Sequence, residues 1–325
     1  AYLLAYFTRL ILARELGPAD YGLFYAVFTF VIFFLFFRDL GLNQAMTKYI
    51  TEFRVKNNYN RIKSAIFAVL GSQVLSSLFF SAVFFFAADF LAVYYFKAPA
   101  ASTLLKIMVA YTVFSISFTF LKSFFASFQR FVAYSLIDFF KNGIVLLLVI
   151  LFFSYGMTII SPVLAYVIVG QILIILFLPK MLRTYNPFSH KIEKLKETSK
   201  LLFLFGLPVI MTDVGDKVIS YIDTLMLTGF RSLAEVGIYN VVLPSAMMLL
   251  FISTALSSVF FPIFAELWAK KDFKRLKEGV RIFYKHIFVA VAPVVLAILV
   301  FSDTFLYIFF CSDYVSGANA LRILL

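Results

Sequence analysis

Four ionisable residues lie within one apolar stretch, MTDVGDKVISYIDTLML, at residues 211 to 227. On a helix with about 100° per residue, they share one face with three polar residues, and the aliphatic residues lie opposite. This face comprises Asp213, Asp216, Lys217, Ser220, Tyr221, Asp223 and Thr224. Its three carboxylates are candidates for binding a coupling ion, Na⁺ or H⁺. An ion pair between Asp213 and Lys217, four residues apart, is the structural alternative.

The composition indicates that this face lies in a membrane protein. Hydrophobic residues make up 63% of the sequence, charged residues 14%, and the mean hydropathy is +0.97. Soluble domains have about 45–50% apolar and about 25% charged residues. Uncharged runs at residues 64–88 and 236–265 reach the roughly 20 residues that a spanning helix needs. We therefore expect an all-α polytopic membrane protein whose charged helix face points away from lipid.

Turn residues and charges predict nine helices and the start of a tenth. Their approximate bounds are 1–14, 20–47, 63–88, 100–122, 131–153, 158–181, 200–228, 235–263, 285–310 and from 318 onward. Most of the 29 Lys and Arg residues lie at the even-numbered connections. The positive-inside rule then places these connections and the N-terminus in the cytoplasm, as expected for a multi-pass protein of the plasma or inner membrane.

An internal repeat suggests how the helices are organised. Residues 21–24 line up with residues 236–239, and residues 52–63 line up with residues 266–277. The repeat predicts two six-helix bundles of the same orientation around a central cavity, with the second bundle truncated. The expected parts are an N-terminal bundle (1–182), a basic amphipathic helix as cytoplasmic linker (183–199) and an incomplete second bundle (200–325). Because there is no initiator Met and both ends are apolar, we expect a fragment of a longer protein.

Other predicted helices also carry ionisable residues. The cations are Arg9, Arg38, Lys106 and Lys141, and the neighbouring polar residues include Asp39, Asp138 and Asn142. Cations outnumber carboxylates in the first bundle, whereas carboxylates outnumber the cation on the helix at 200–228. This predicts a divided cavity, in which the first bundle attracts an anionic headgroup and the carboxylates bind the coupling ion. Mutual neutralisation of Arg38 with Asp39, and of Asp138 with Lys141, is the alternative.

Several functional classes lack their sequence signals. The single cysteine, Cys311, and the two histidines, His190 and His286, predict neither disulfides nor a metal site. There is no GxxxxGK[ST] motif for ATP, so we expect no cofactor beyond the ion and no enzymatic activity. The net charge of +12 lies mostly near predicted membrane ends, which favours contact with membrane lipids over nucleic acid.

Four motifs carry a resemblance to a known family. They are RELGPADYGLF at residues 14–24, DLGL at 39–42, YIDTLML at 221–227 and EVGIY at 235–239. The sequence resembles the prokaryotic polysaccharide flippases of the multidrug/oligosaccharidyl-lipid/polysaccharide exporter superfamily. The resemblance implies two six-helix bundles that move a lipid-linked oligosaccharide from the cytoplasmic to the outer leaflet by alternating access. It also implies that a polysaccharide polymerase and glycosyltransferases are partners.

The resemblance further implies a role for the cavity cations. Such cations are thought to hold the pyrophosphate of the substrate, a role that falls here to Arg9, Arg38, Lys106, Lys141 and Lys217. Two other functions stay open. A cation-coupled multidrug exporter would favour an acidic cavity, and a membrane glycosyltransferase or ligase would need catalytic carboxylates or a metal motif with a sizeable extramembrane loop.

Overall fold

The computed structural model describes the backbone of residues 1–325 and the side chains of all but residues 250–255, 258 and 259. Its helices are α1 (Tyr2–Asp39), α2 (Leu42–Val55), α3 (Tyr59–Tyr94), α4 (Ala100–Ser127), α5 (Phe131–Ser154), α6 (Ile160–Thr184), α7 (Leu195–Phe230), α8 (Leu233–Ala269), α9 (Phe273–Val300), α10 (Ser302–Phe310) and α11 (Ala318–Leu324). Two 3₁₀ turns lie at Pro187–Ser189 and Ser312–Gly317. The part of the chain that the structure describes has no strand, and the predicted all-α class is confirmed.

Among the described residues, six helical segments are long and apolar enough to cross a membrane by length and composition. They are Tyr2–Val55, Tyr59–Tyr94, Ala100–Ser127, Phe131–Ser154, Ile160–Thr184 and Phe273–Val300. The first of these contains α1 and α2 together. These segments make the chain a multi-pass membrane protein, as its composition predicts.

Helix α1 turns back on itself at Gly17. This glycine has φ 69° and ψ 170°, a backbone conformation that essentially only glycine adopts, and Pro18 follows it. The Cζ atom of Arg9 lies 4.5 Å from the ring centroid of Tyr25. On a straight helix, residues 9 and 25 would be about 24 Å apart, beyond the reach of both side chains. The two halves of α1, residues 2–16 and 18–39, therefore lie side by side.

The predicted helix at 20–47 is interrupted at Leu40 and Gly41, where the continuous prediction was wrong. Both residues have positive φ, 49° and 69°, so α1 ends at Asp39 and α2 begins at Leu42. A β-carbon on Gly41 would overlap the Gly206 carbonyl of α7, and one on Gly206 would lie 2.5 Å from the Leu40 oxygen. The two glycines thus allow backbone to touch backbone, an approach that the apolar pattern does not reveal.

The linker does not form the expected amphipathic helix. Residues 185–194 are not helical apart from the 3₁₀ turn Pro187–Ser189, because Pro187 cannot continue a helix, and residues 195–199 form the start of α7. The linker's hydrogen bonds go to α3, where Ser64 Oγ accepts from the Glu193 amide at 2.8 Å and donates to its carbonyl at 2.7 Å. His190 stacks between Tyr59 and Tyr185, with centroid distances of 5.4 and 5.2 Å. The linker is therefore attached to the start of α3.

The internal repeat recurs in local geometry. Asn58 caps α3 by accepting a hydrogen bond from the Arg61 amide, and Asp272 caps α9 in the same way from Arg275. Helix α9 was predicted to begin near residue 285. The cap at Asp272 explains why it begins at Phe273 instead. Because the cap residues lie at equivalent positions of the repeat, the two copies share this turn as well as their hydrophobic pattern.

Contacts divide the chain into two compact units, Ala1–Val236 and Gly237–Leu325. Helix α7 packs against α1, α2 and α3 of the first unit, although the repeat places it in the second copy. The core of the first unit is built from large buried side chains that include Tyr21, Phe24, Phe124 and Phe125. Because α7 packs within the first unit, its charged face lies in the same compact unit as the cations of α1, α4 and α5.

Candidate functional site

The polar face of α7 divides into two sides. Thr224 is buried at 5% exposure, and Asp213, Lys217 and Tyr221 are half-buried. On the other side of the same arc, Asp216, Ser220 and Asp223 are exposed. The division follows the angular position on the helix. At about 100° per residue, the three exposed residues lie on one side of Asp213, and Lys217, Tyr221 and Thr224 lie on the other. One side of the predicted face therefore packs against other helices of the first unit.

Asp213 bonds to another helix instead of pairing with Lys217. Its Oδ2 atom accepts a hydrogen bond from Gln44 Nε2 of α2 at 2.7 Å. The ion pairs of the described residues do not include Asp213 with Lys217, so the intrahelical pair is not formed. The i, i+4 spacing allowed that pair, but Gln44 was close enough to compete for the carboxylate.

A second carboxylate, Asp39, lies at the break between α1 and α2. Its Oδ1 atom accepts from Gln73 Nε2 of α3 at 2.9 Å and from Asn43 Nδ2 of α2 at 2.5 Å. Gln73 is fully buried. We call Asp39, Asn43, Gln44, Gln73 and Asp213 the carboxylate–amide junction. It joins α1, α2, α3 and α7 in a small volume at the glycine contact.

The junction contains buried oxygen atoms that lack partners. Within the described side chains, Gln73 Oε1 and Asn43 Oδ1 accept no hydrogen bond. Each sits on an amide whose nitrogen already contacts the Asp39 carboxylate. Carboxylate and amide oxygens are ligands for hard cations, and buried acceptors without partners are unfavourable. The arrangement can therefore accept a cation or a proton. Sequence analysis missed Gln73, since a lone amide in an apolar helix has no local partner.

The guanidinium of Arg38 is buried against α4. Arg38 is only 4% exposed, and its Nη1 atom donates to the Thr112 carbonyl at 2.6 Å and to Ser115 Oγ at 2.7 Å, both on α4. No ion pair between Arg38 and Asp39 occurs among the described residues. Arg38 thus fixes α1 to α4, and in this conformation a headgroup cannot reach it.

Cations and aromatic rings alternate through the interior of the first unit. Lys122 Nζ lies 4.4 Å from the Tyr134 ring centroid and 5.6 Å from that of Phe118. Lys141 Nζ lies 4.2 Å from Phe118 and 6.0 Å from Tyr166. These distances fall within the roughly 6 Å range of cation–π interactions. Arg9 Cζ lies over the Tyr25 ring, and Phe28 connects Tyr25 to Tyr166 with centroid distances of 6.4 and 4.6 Å. We call this series the cation–aromatic ladder; it comprises Lys122, Tyr134, Phe118, Lys141, Tyr166, Arg9 and Tyr25.

Lys122 of the ladder forms an ion pair. Asp138 pairs with Lys122 of α4 at 2.8 Å, so the alternative considered for this residue, an ion pair with Lys141, is not formed among the described residues. Among the described residues, no carboxylate lies within 4 Å of Lys141 Nζ. Sequence analysis treated Lys122 as part of a connection because the helix was expected to end there. Helix α4 continues to Ser127, which brings Lys122 inside the bundle.

Two further predicted site residues, Lys106 and Asn142, lie outside both the ladder and the junction. Lys106 pairs with Asp89 at 2.9 Å near the start of α4, and Ser102 also donates to this carboxylate. Asn142 donates to the carbonyl of Ala1 at 3.2 Å. The described residues contain no group of three His, Cys, Asp or Glu residues arranged to hold a metal ion. The structure thus brings Arg9 and Lys141 together and leaves Lys106 apart.

Comparison with known proteins gives three findings. A family model for polysaccharide biosynthesis proteins matches residues 1–268. An uncharacterized membrane protein of Methanocaldococcus jannaschii is 26% identical over 339 residues, an alignment that covers 99% of this chain and 66% of that protein. The inward-facing conformation of a multidrug resistance MATE family transporter of the MOP superfamily has a similar fold. Its TM-score is 0.70 at 16% identity, over 99% of this chain and 77% of that one.

Proposed function

The chain belongs to the polysaccharide biosynthesis protein family, and on this basis we propose that it is a flippase for lipid-linked oligosaccharide. Its family and its transporter-like fold support a role as a membrane exporter or flippase. The proposed direction is from the cytoplasmic to the outer leaflet of the plasma or inner membrane, with the N-terminus in the cytoplasm. A polysaccharide polymerase and glycosyltransferases are its proposed partners. The cation–aromatic ladder is the observation that carries the proposal.

The ladder suits a phosphate group for an energetic reason. A lysine in the bilayer interior is unfavourable by about 3 kcal/mol on the insertion scale. Contact with an aromatic face returns about 0.5–2 kcal/mol. Lys141 contacts two rings but no carboxylate among the described residues, so its charge is stabilised only in part. An anionic pyrophosphate would supply the remaining stabilisation, and the neutral rings leave the positive charge available to it.

The order of the ladder gives a path for the headgroup. Lys122 lies about one and a half turns from the end of α4, on the side that the charge pattern places in the cytoplasm. The pyrophosphate displaces Asp138 from Lys122, passes to Lys141 and then reaches Arg9, which lies toward the Gly17 turn. Alternating access opens first one end of this path and then the other. At Lys122 the pyrophosphate replaces the Asp138 carboxylate, and at Lys141 it adds an anion beside the rings of Phe118 and Tyr166.

We place ion coupling at the carboxylate–amide junction. A Na⁺ ion or a proton at Asp39 would neutralise its carboxylate, and Na⁺ would also bind the free oxygens of Gln73 and Asn43. These side chains come from α1, α2 and α3, and Gln44 connects the junction to Asp213 of α7. Occupation therefore draws four helices together around the Gly41 and Gly206 contact. Asp216 and Asp223, exposed on α7, remain candidates for a transient ion site.

A second candidate function is cation-coupled multidrug export. The observation in its favour is the exposed acidic side of α7, with Asp216 and Asp223, since carboxylates attract organic cations. The structural relative of similar fold is a multidrug resistance transporter. Lys141, which contacts aromatic rings but no carboxylate among the described residues, favours an anionic substrate, and we therefore place the flippase first.

Translocation in proteoliposomes tests the proposal. The full-length protein is reconstituted with a fluorescent polyprenyl-pyrophosphate oligosaccharide, with and without Na⁺ or proton gradients. We expect flipping that Lys141→Ala reduces about tenfold or more, because a charge-assisted contact contributes roughly 1.5–3 kcal/mol. Lys48→Ala is the matched control, since Lys48 lies 4.1 Å from the Phe205 ring outside the ladder. Absence of flipping under every gradient, together with efflux of an organic cation, would support the multidrug exporter instead.

A further inference from the structure

A separate basic pocket lies where α5 begins and α6 ends. The cavity measures about 670 Å³ and is lined by residues 129–133 and by one side of α6. This volume is within the roughly 300–1,000 Å³ that is usual for small-molecule sites. The pocket contains three cations, Arg130, Lys180 and Arg183, and all three are exposed. None of them belongs to the cation–aromatic ladder or to the carboxylate–amide junction.

The pocket is electropositive and lacks a counter-charge. Its lining residues include no Asp or Glu. The ion pairs of the described residues do not include Arg130, Lys180 or Arg183. No side chain caps the start of α5, and residues 131–133, whose amide groups form the first turn, line the same cavity. The positive end of the helix dipole adds to the three side-chain charges.

Apolar side chains border the cations. Phe131, Val132 and Leu176 line the pocket and are 64%, 73% and 49% exposed. Phe131 and Val132 begin α5, and Leu176 lies one turn before Lys180 on α6. A ligand that reaches all six side chains has an anionic end beside an apolar one. A small soluble anion would use only the cations and leave the apolar surface exposed.

We propose that this pocket binds the phosphate of an anionic glycerophospholipid, with an acyl chain along Phe131, Val132 and Leu176. The charge pattern of the connections places the pocket in the cytoplasmic leaflet, where anionic phospholipids are abundant. Basic pockets between helices on this side are suited to lipid headgroups. The inference does not depend on which substrate the protein moves, since it uses neither the ladder nor the junction.

A bound lipid would stabilise a turn that also contacts other parts of the first unit. Gln129, at the rim of the pocket, accepts a hydrogen bond from Arg54 of α2 at 2.9 Å. Phe128, one residue earlier, packs against Tyr185 of the linker with a centroid distance of 5.8 Å. The lipid would thus bind beside a turn that holds both α2 and the linker in place.

Native mass spectrometry of the delipidated full-length protein tests this site. Phosphatidylglycerol and phosphatidylcholine with identical acyl chains are titrated against wild type and the triple variant R130Q/K180Q/R183Q. We expect the triple variant to bind phosphatidylglycerol at least about tenfold more weakly, because each basic residue contributes roughly 1 kcal/mol. Phosphatidylcholine binding should be the same in both proteins. The charge-conserving variant R130K/K180R/R183K should retain binding, which separates loss of charge from loss of fold.

The control variant removes three exposed lysines of α9, K274Q/K277Q/K285Q, and should bind phosphatidylglycerol as wild type does. Equal loss in both triple variants would overturn the proposal in favour of non-specific attraction. Displacement of the lipid by inorganic phosphate at equal concentration would overturn the lipid assignment. Stronger displacement by polyprenyl pyrophosphate would also overturn it and would reassign the pocket to substrate entry.

Discussion

The cation–aromatic ladder and the carboxylate–amide junction lie in the same unit and have opposite electrostatic character. In the ladder, aromatic rings surround Lys141 and leave its positive charge without a carboxylate among the described residues. In the junction, two amide donors satisfy the Asp39 carboxylate and leave their own oxygens without partners. The first environment favours an anion that arrives from outside, and the second favours a cation or a proton.

The two regions differ in their helices but share α1. The ladder draws on α4, α5, α6 and both halves of α1, whereas the junction draws on α2, α3, α7 and the end of α1. Tyr25 and Asp39 are about 21 Å apart along the second half of α1. This half is continuous, so a shift at the Gly41 break would move Tyr25 as well. The comparison therefore predicts that each region can be damaged separately, and that damage to α1 or its glycine contact affects both.

The largest effect is expected from Gly206→Ala. The new β-carbon would lie 2.5 Å from the Leu40 carbonyl oxygen, and backbone cannot move aside as a side chain can. We expect a destabilisation of about 2–3 kcal/mol or failure to fold. Thermal unfolding of the purified protein measures it. Gly215→Ala on the same helix has open space around it and should be neutral or stabilising by up to about 1 kcal/mol. Equal stability of the two variants would contradict the close backbone contact.

The next effect separates the ladder from the junction. Lys141→Ala removes the cation without a carboxylate partner, and we expect binding of a lipid pyrophosphate to weaken about tenfold or more. Stabilisation of the protein by Na⁺ should be unchanged, because the junction is intact. Lys141→Arg keeps the charge and should retain most of the binding. Fluorescence anisotropy of a labelled lipid pyrophosphate, paired with thermal shifts in Na⁺, gives both quantities. Loss of the Na⁺ effect in Lys141→Ala would show that the regions are not separable.

The reverse experiment changes the junction. Asp39→Asn keeps the shape of the side chain and removes its charge, so we expect loss of any thermal stabilisation by Na⁺ relative to K⁺, a change of a few degrees. Binding of the lipid pyrophosphate should vary by less than about threefold. Asp89→Asn, which affects an exposed pair with Lys106, serves as the control. A Na⁺ response that survives Asp39→Asn would move the coupling site to Asp216 and Asp223.

The fold was predictable because three features of the sequence all indicate helices in a membrane. They are the length of the apolar runs, the positions of the charged residues and the internal repeat. The repeat aligned Asn58 with Asp272, and both residues cap a helix in the structure, although neither was predicted to begin one. The break at Gly41 was not predicted, because the apolar pattern runs through Leu40 and Leu42. Only the approach of Gly206, far away in sequence, explains it.

The site was predicted in part. Arg9 and Lys141 were found because ionisable residues in apolar helices stand out by themselves. Their partners were missed: Phe118 and Tyr166 are indistinguishable from other aromatic residues in a sequence with 44 Phe and 18 Tyr. Pairings also depended on helix ends, since Lys122 entered the ladder only because α4 is longer than predicted. Residue type thus identified the charges, and three-dimensional packing decided what each charge contacts.

The smallest effect concerns the linker, which is attached to the start of α3, the helix that also carries Gln73 of the junction. A hydrogen bond from Arg61 lowers the pKa of Glu197 below its ordinary value of 4.5. The contact therefore stabilises the docked linker above that pH and is lost as pH falls through the lowered pKa. Hydrogen exchange of residues 190–197 should rise in acid beyond the intrinsic change. In Glu197→Gln it should already be faster at pH 7 and show no further increase. Since the ladder lies on other helices, lipid pyrophosphate binding by Glu197→Gln should match wild type, and a loss there would mean that the linker acts on the ladder as well.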